Sequence, residues 1–120
     1  MAVSQEYLEF VTEALEDFGP VDTRRMFGGA GLFREGLMFA LIAEEQLYFK
    51  TGDENRAEFE AEDCPPFSYE AKGEKRVLMS YSLAPERLYD EREEMAVWAR
   101  KAFDAAIRAD AEKKNPKRKR

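Results

Sequence analysis

The sequence contains no histidine and a single cysteine, Cys64, among its 120 residues. Without histidine, a histidine-based catalytic triad and a histidine metal ligand are excluded. One cysteine cannot form an intramolecular disulfide or a Cys₄ zinc site, which suits a reducing cytoplasm. No apolar run approaches the roughly 20 residues that cross a bilayer, and the opening residues MAVSQEYLEF lack the pattern of a secretory signal. We therefore expect a cytoplasmic protein.

The remaining groups with catalytic potential are the carboxylates and the Cys64 thiol. Most of the 25 Asp and Glu residues fall on predicted solvent-facing helix surfaces or at turns, whereas acid–base catalysis needs a desolvated carboxylate. Cys64 follows Glu62 and Asp63, whose negative charges disfavour the thiolate. The sequence thus predicts no catalytic residue, no cofactor, no metal and no enzymatic activity.

Outside the C-terminus, acidic residues outnumber basic ones by 25 to 13. The net charge is −6, yet the last eight residues, KKNPKRKR, contain six basic residues and no acid, so residues 1–112 carry a net charge of −12. Such an acidic body repels DNA or RNA, and only the tail could attract a polyanion. The candidates for that contact are Lys113, Lys114, Lys117, Arg118, Lys119 and Arg120. A disordered, solubilising end is the other interpretation of the same charges.

The order of hydrophobic patterns predicts an α+β domain: an antiparallel sheet of about five or six strands with an N-terminal helix, a short middle helix and a C-terminal helix. Ser4 can cap a first helix that runs to about Phe18, where Gly19-Pro20 ends it. The turn signals between strands are Glu35-Gly36, Glu44-Glu45 and Lys72-Gly73. The apolar run Leu37–Ala43 indicates a central strand that is covered, in part, on both faces. We expect residues 1–111 to form a single domain and residues 112–120 a basic, disordered tail.

The second half of the sequence predicts three further features. Thr51-Gly52-Asp53 caps a short helix from Glu54 to Ala61, anchored by Phe59. Asp90 followed by Glu93 forms a capping box at the start of the last helix. Along the strand before it, alternate positions are occupied by Val77, Met79 and Tyr81. The apolar stripe of the last helix consists of Met95, Trp98, Ala99, Ala102, Phe103 and Ala106.

Three glycines lie within the stretch RRMFGGAGLF, beside two arginines. A phosphate-binding P-loop is excluded because no Lys-Ser/Thr pair follows Gly31, and a dinucleotide loop is excluded because Arg34 stands where its third glycine belongs. We expect Gly28, Gly29 and Gly31 to form a tight connection or bulge between two strands. Contact with a small anion or a partner at Arg24 and Arg25 stays open, although the two side chains should point to opposite faces.

Seven aromatic residues lie within the predicted strands: Phe33, Phe39, Tyr48, Phe49, Phe67, Tyr69 and Tyr81. A sheet that stacks RNA bases would need basic residues interleaved among them. Because the surroundings are acidic and the spacing suits burial, we expect these aromatics to form the core.

Several of these segments, in this order, resemble the N-terminal domain of TfoX/Sxy, a bacterial regulator of competence genes. The resemblance covers about Tyr7 to Ala106 and is most specific at RMFGGAGLF, supported by LYFK and by the Trp98-Ala99 step. It implies a fold like that of secretion chaperones and YjbR-like proteins. It also implies a cytoplasmic, non-enzymatic role in transcriptional control exerted through other proteins. Full-length members carry a second, helical C-terminal domain, where this sequence has the basic tail. The motif residues that could contact a partner are Arg24, Arg25, Met26, Phe27, Gly28, Gly29 and Gly31.

Two hypotheses follow from the sequence. The first is a protein-interaction module in bacterial gene regulation, with a contact surface at the glycine connection and an exposed sheet edge. Its partner would be a component of the transcription machinery or a regulator, and the same edge could form a homodimer. The second is a nucleic-acid-associated protein that contacts DNA or RNA through its basic tail.

Overall fold

The structure is a computed structural model that describes residues 3–26 and 28–114. The helices are α1 (Gln5–Ala14), α2 (Arg56–Ala61) and α3 (Arg92–Lys114), with a 3₁₀ turn at Glu86–Asp90. The strands are β1 (Asp22–Met26), β2 (Gly29–Arg34), β3 (Leu37–Ala43), β4 (Gln46–Lys50), β5 (Pro66–Ala71) and β6 (Glu74–Leu83). They form one antiparallel sheet in the order β1-β2-β3-β4-β6-β5. The predicted α+β class is confirmed. Within the described residues, no helix is long and apolar enough to cross a membrane.

Helix α1 begins where the sequence predicts, since the Ser4 hydroxyl accepts a hydrogen bond from the Tyr7 backbone N–H at 3.1 Å. It ends at Ala14, four residues before the predicted end. The chain from Leu15 to Phe18 continues as a tighter turn, in which the Phe18 N–H donates to the Leu15 carbonyl. This turn places Phe18 in the core, with its ring 5.0 Å from that of Phe39.

The three predicted hairpin turns are all present. Each has two central residues with positive φ, the backbone form whose twist matches the strands beside it. The pairs are Glu35 and Gly36, Glu44 and Glu45, and Lys72 and Gly73. The Glu44-Glu45 turn adopts this form without a glycine.

The buried core lies between one face of the sheet and the helices. On the sheet side it contains Ala30, Leu32, Phe39, Ala40, Ile42, Leu47 and Phe49. Every member of the predicted apolar stripe of α3, from Met95 to Ala106, is buried against them. As predicted, no residue of β3 is fully exposed, so this strand is at least partly shielded on both faces.

Helix α2 starts at Arg56, two residues later than predicted. The buried Asn55 side chain explains the shift, because its Oδ1 accepts from the Gly52 N–H and its Nδ2 donates to the Lys50 carbonyl. These bonds hold the preceding residues in a turn. Phe59 is 1% exposed and anchors α2 as predicted, with its ring 4.9 Å from Trp98.

The two ends of α3 also differ from the prediction. The capping box at Asp90 is wrong, since Asp90 closes the 3₁₀ turn and α3 starts at Arg92. The Glu91 carbonyl accepts the Met95 N–H at 2.8 Å. At the other end the helix continues to Lys114, so residues 112–114 belong to α3 rather than to the predicted tail. Residues 115–120 lie outside the described part of the chain.

The expected alternation of Val77, Met79 and Tyr81 is only partly reflected in burial. Tyr81 is buried, whereas Val77 and Met79 are 50% and 55% exposed. The cause is a shift in register: Pro66 pairs with Ser82, but the next residue of β5 already pairs with Leu78. Residues 79–81 therefore have no partner in β5, and residues 74–78 of β6 pair with β5 alone. We call residues 67–79 the arm.

Candidate interaction surface

The three glycines of the predicted connection have different positions. Gly28, with a φ of 78°, lies between β1 and β2, but Gly29 and Gly31 belong to β2 itself. The prediction that all three form the connection is therefore wrong for these two. A Cβ at Gly29 would overlap the backbone carbonyl oxygen of Ile42. Phe27 lies outside the described residues, so its predicted role stays a prediction.

Gly31 allows three side chains, one each from β1, β3 and its own strand, to lie over its backbone. A Cβ at this position would be 2.8 Å from the Met38 sulfur, 2.9 Å from the Phe33 ring and 3.0 Å from the Met26 methyl group. The glycine is buried by these groups. The motif therefore forms an apolar patch on the sheet rather than a phosphate-binding loop.

Arg24 and Arg25 point to opposite faces of the sheet, as predicted. The exposed Arg24 guanidinium lies 4.7 Å from the centroid of the Phe33 ring, on the face that carries Gly31. Arg25 donates to the Val3 carbonyl at 2.6 Å and to the Gln5 side chain at 3.2 Å. Arg25 thus joins β1 to the start of α1, and of the two arginines Arg24 is the one available to a partner.

One row of the strand register crosses five strands on the Arg24 side of the sheet. It runs Arg24, Gly31, Leu41, Tyr48 and Leu83, each paired with the next. The rows beside it carry the buried core residues, and side chains alternate between faces along a strand. This row therefore lies opposite the helices, and we call its side of the sheet the open face.

Aromatic side chains extend the open face toward the arm. The Phe67 ring lies 4.9 Å from that of Tyr48, and the Tyr69 ring stacks 5.8 Å from Phe67. The prediction that the strand aromatics form the core is confirmed for Phe39, Phe49 and Tyr81. It is wrong for Tyr69, which is 46% exposed, and for Phe33, Tyr48 and Phe67, which are only partly buried on the open face. A largely apolar sheet face without helices on it is unusual in a domain, since such faces are normally polar.

Sequence reasoning missed most of the open face. The sequence indicates only a strand at Leu41, assigns Tyr48 to the core with the other strand aromatics, and does not single out Leu83. The apolar run LMFALIA was the available signal, because a strand of an antiparallel sheet with one solvated face normally alternates apolar and polar residues.

The basic end of the chain begins on α3. Lys113 is exposed and lines a hollow of about 420 Å³ together with Lys50 and Tyr81. Burial, and secondarily the charge of Lys113, lower the pKa of Lys50. Lys114 ends the helix. The other four predicted contacts, Lys117, Arg118, Lys119 and Arg120, lie outside the described residues, and their role stays a prediction.

Cys64 lies just before the arm and is half-buried. Burial raises the pKa of its thiol, and the charges of Glu62 and Asp63 raise it further. Its environment therefore opposes a reactive thiolate, in agreement with the sequence. In the part of the chain that the structure describes, no group of three or more Cys, Asp or Glu side chains is arranged to hold a metal ion.

An ion cluster that the sequence analysis also missed lies at the base of the arm. Arg87 donates to Glu62 from its Nε at 3.0 Å, to Glu94 at 2.8 Å and to Glu91 at 3.2 Å. Hydrogen bonding to Arg87 lowers the pKa of Glu94 to about 2 and also lowers that of Glu62. The cluster joins the end of α2 to the 3₁₀ turn and the start of α3.

These features define an α+β domain whose helices cover one face of an antiparallel sheet and leave the other face apolar and open. The chain belongs to the TfoX N-terminal domain family, whose model matches residues 13–106. It is also similar to the DNA transformation protein TfoX1 of Aliivibrio fischeri, with 36% identity over 70 residues. That alignment covers 58% of this chain and 32% of the relative, so the chain spans about a third of that protein's length.

Proposed function

We propose that this domain is a non-enzymatic, cytoplasmic interaction module in the regulation of bacterial competence genes, and that it binds a protein partner through its open face. The family membership and the similarity to a DNA transformation protein support the regulatory role. The observation that carries the interaction is the register row from Arg24 to Leu83, in which Leu41, Tyr48 and Leu83 are only half-buried. Exposed apolar surfaces of this kind mark protein contacts.

The charge of the domain favours a protein over a nucleic acid as the partner of the open face. Residues 1–112 carry a net charge of −12, which repels phosphates at long range. Arg24 is the cation of the register row and sits at its β1 end. A partner with an apolar surface and an acidic group near one side would match this arrangement.

Affinity capture from the native bacterium, at near-endogenous expression, tests this function. Wild type should retain a specific partner, and both Leu41→Lys and Arg24→Glu should lose most of it. Ile107→Lys is the matched control, because Ile107 is 44% exposed on α3, away from the open face. Circular dichroism checks that each variant folds. A partner retained equally by all variants, or no specific partner at all, would overturn the proposal.

The concentration of basic residues at the end of α3 supports a second candidate function, contact with nucleic acid. Lys113 and Lys114 lead into four further basic residues, whereas the rest of the chain is acidic. Such binding should weaken steeply with salt. It should disappear when Lys113–Arg120 are deleted, and it should persist when the basic residues Lys72, Lys75 and Arg76 of the arm are changed to Gln. The absence of a mobility shift with full-length protein at ~50 mM salt would refute it.

A further inference from the structure

The arm contains four of the seven large hydrophobic side chains that are exposed in the described part of the chain. Four of its side chains are large, hydrophobic and exposed: Tyr69 at 46%, Val77 at 50%, Leu78 at 36% and Met79 at 55%. In the strand register Tyr69 and Leu78 lie on one face of the hairpin and Val77 lies on the other. A two-stranded hairpin with both faces in water is at best marginally stable without a partner. The arm therefore has the composition of a segment that is covered in an assembly.

Strand β5 also offers a free backbone edge. In the described sheet it pairs with β6 alone, so the N–H and C=O groups on its outer side have no strand beside them. Edge strands usually carry charges or other features that prevent pairing with a second chain. In β5 only Glu70 is charged, and the strand after Pro66 contains no further proline. The edge is thus open to antiparallel or parallel addition of a strand.

The charge distribution favours a second copy of the chain as the partner of β5. The acidic bodies of two copies repel each other, but the arm is slightly positive. It carries Lys72, Lys75 and Arg76 against Glu70 and Glu74. The segment that leads into β5 contains the acids Glu62 and Asp63. When two β5 strands pair antiparallel, the tip of each arm lies beside the base of the other. The basic tip then meets the acidic base twice, once in each half of the dimer.

We propose that two copies of this chain form a symmetric dimer in which β5 pairs antiparallel with β5 of the second copy, with Tyr69 of each at the two-fold axis. Phe67 of one copy then faces Ala71 of the other, and Ser68 faces Glu70. Residues directly opposite each other share a face of the sheet, so the Phe67 and Tyr69 rings of both copies form one aromatic cluster. The two sheets become one sheet of twelve strands, with both open faces on the same side. Such an interface uses the same patch of both copies, as a two-fold axis requires.

Sedimentation equilibrium of the full 120-residue protein tests the dimer directly. Wild type should reach twice the 13.9 kDa mass of the chain at micromolar to millimolar concentration. Tyr69→Lys places two like charges at the axis and should weaken the dimer at least about tenfold. Val97→Lys is the matched control, because Val97 is 50% exposed on α3 and should leave the dimer unchanged. A monomer at every concentration up to about 1 mM, or a dimer indifferent to Tyr69→Lys, overturns the proposal.

Cross-linking tests the register. Residues directly opposite in antiparallel strands have Cα atoms about 4.5–5.5 Å apart, within the range of a disulfide. In a Cys64→Ser background, Tyr69→Cys should therefore give a covalent dimer on air oxidation, and Val97→Cys should not. The double variant Ser68→Cys with Glu70→Cys should cross-link more efficiently than either single variant. Efficient cross-linking of Val97→Cys alone would show another interface and overturn this one.

A charge exchange tests the contact between tip and base. Lys72→Glu and Asp63→Lys should each weaken the dimer, and the double variant should recover most of the affinity, with all three effects reduced at high salt. Full additivity of the two losses contradicts the predicted contact. The dimer proposal does not rest on the proposed function: dimer mass is measured without any partner, and partner capture is judged on Leu41→Lys and Arg24→Glu, which lie outside the arm. The failure of either can therefore be recognised separately.

Discussion

At one edge of the sheet, strand β1 is tied to the N-terminal segment of its own chain, whereas at the other edge strand β5 has only β6 beside it. On the β1 side the Val3 N–H donates to the Gly28 carbonyl at 3.0 Å, and Arg25 returns a hydrogen bond to the Val3 carbonyl. Val3 itself is 4% exposed. On the β5 side, the arm exposes four large apolar side chains.

This difference gives the two edges different roles: contacts at the β1 edge stabilise the fold, and the β5 edge is available for association. The β1 edge carries Asp22, Arg24 and Arg25, charges that discourage pairing with another chain, and its backbone contacts are made by the chain itself. The β5 edge lacks most of these features. We therefore expect substitutions near β1 to change the free energy of unfolding, and substitutions in the arm to change association.

The largest expected effect comes from Gly29. In Gly29→Ala the new methyl group overlaps the Ile42 carbonyl oxygen, and neither backbone can move without breaking the β2–β3 pairing, so we expect a loss of about 3 kcal/mol in the free energy of unfolding. Gly73→Ala at the tip of the arm is the comparison. Its Cβ meets open space, and the left-handed backbone alone should cost roughly 1 kcal/mol. Urea denaturation measures both, and equal losses would contradict the difference between the two ends.

The second effect concerns the two arginines of β1. Arg25→Met removes the hydrogen bonds to Val3 and Gln5 and leaves the Val3 carbonyl without this donor, so we expect a loss of about 1–2 kcal/mol. Arg24→Met removes only an exposed contact with the Phe33 ring and should cost about 0.5 kcal/mol. The two variants carry the same chemical change on adjacent residues, so each controls the other. A larger loss for Arg24→Met would show that the open face, rather than the α1 side, holds β1.

The third effect concerns the Arg87 ion cluster at the base of the arm. Acid should weaken this cluster, whereas the β1 edge should not respond to acid. The pKa values of Glu62 and Glu94 are lowered, mainly by hydrogen bonds to Arg87, so their pairing stabilises the fold above the ordinary Glu range and is lost as the pH falls toward about 2. Arg87→Met should therefore lower the Tm at pH 7 by a modest amount, because these groups are solvent-exposed. The Tm difference from wild type should shrink on acidification. A constant difference from pH 7 to pH 2 would show that the role of Arg87 does not depend on these carboxylates.

The features that could be predicted from sequence are those set by neighbouring residues. The Ser4 cap, the two-residue turns and the α3 stripe depend on spacings of a few positions, and all three are present. The features that were missed depend on contacts between distant residues. Arg25 donates to the Val3 carbonyl, 22 positions earlier, and Arg87 donates to the Glu62 carboxylate, 25 positions earlier.

The register shift that frees the arm belongs to the same class. No local pattern indicates that Phe67 pairs with Leu78 directly after Pro66 pairs with Ser82. Thr51 helps to fix this path, since its N–H donates to the Ser80 carbonyl and its hydroxyl to the Met79 carbonyl. The consequence is that VLM, which by composition is typical of a buried strand, is exposed to solvent. The same register shift exposes the arm, which the sequence predicts only as an exposed sheet edge.

The smallest expected change in stability is in the arm itself. Val77→Thr and Met79→Gln keep the strand shape and replace apolar groups that are half exposed, so the free energy of unfolding of the dilute monomer should change by no more than about 0.5 kcal/mol. Leu88→Ala is the buried control, since Leu88 is fully buried and its truncation should cost about 3 kcal/mol. At high protein concentration Tyr69→Lys should show a lower Tm than wild type whereas the two β6 variants should not, because ligation by a second copy through β5 stabilises the folded state by mass action. A loss above about 1 kcal/mol in the dilute monomer would mean that the arm packs within its own chain. The arm and the β1 edge would then differ only in how much each contributes to the free energy of unfolding.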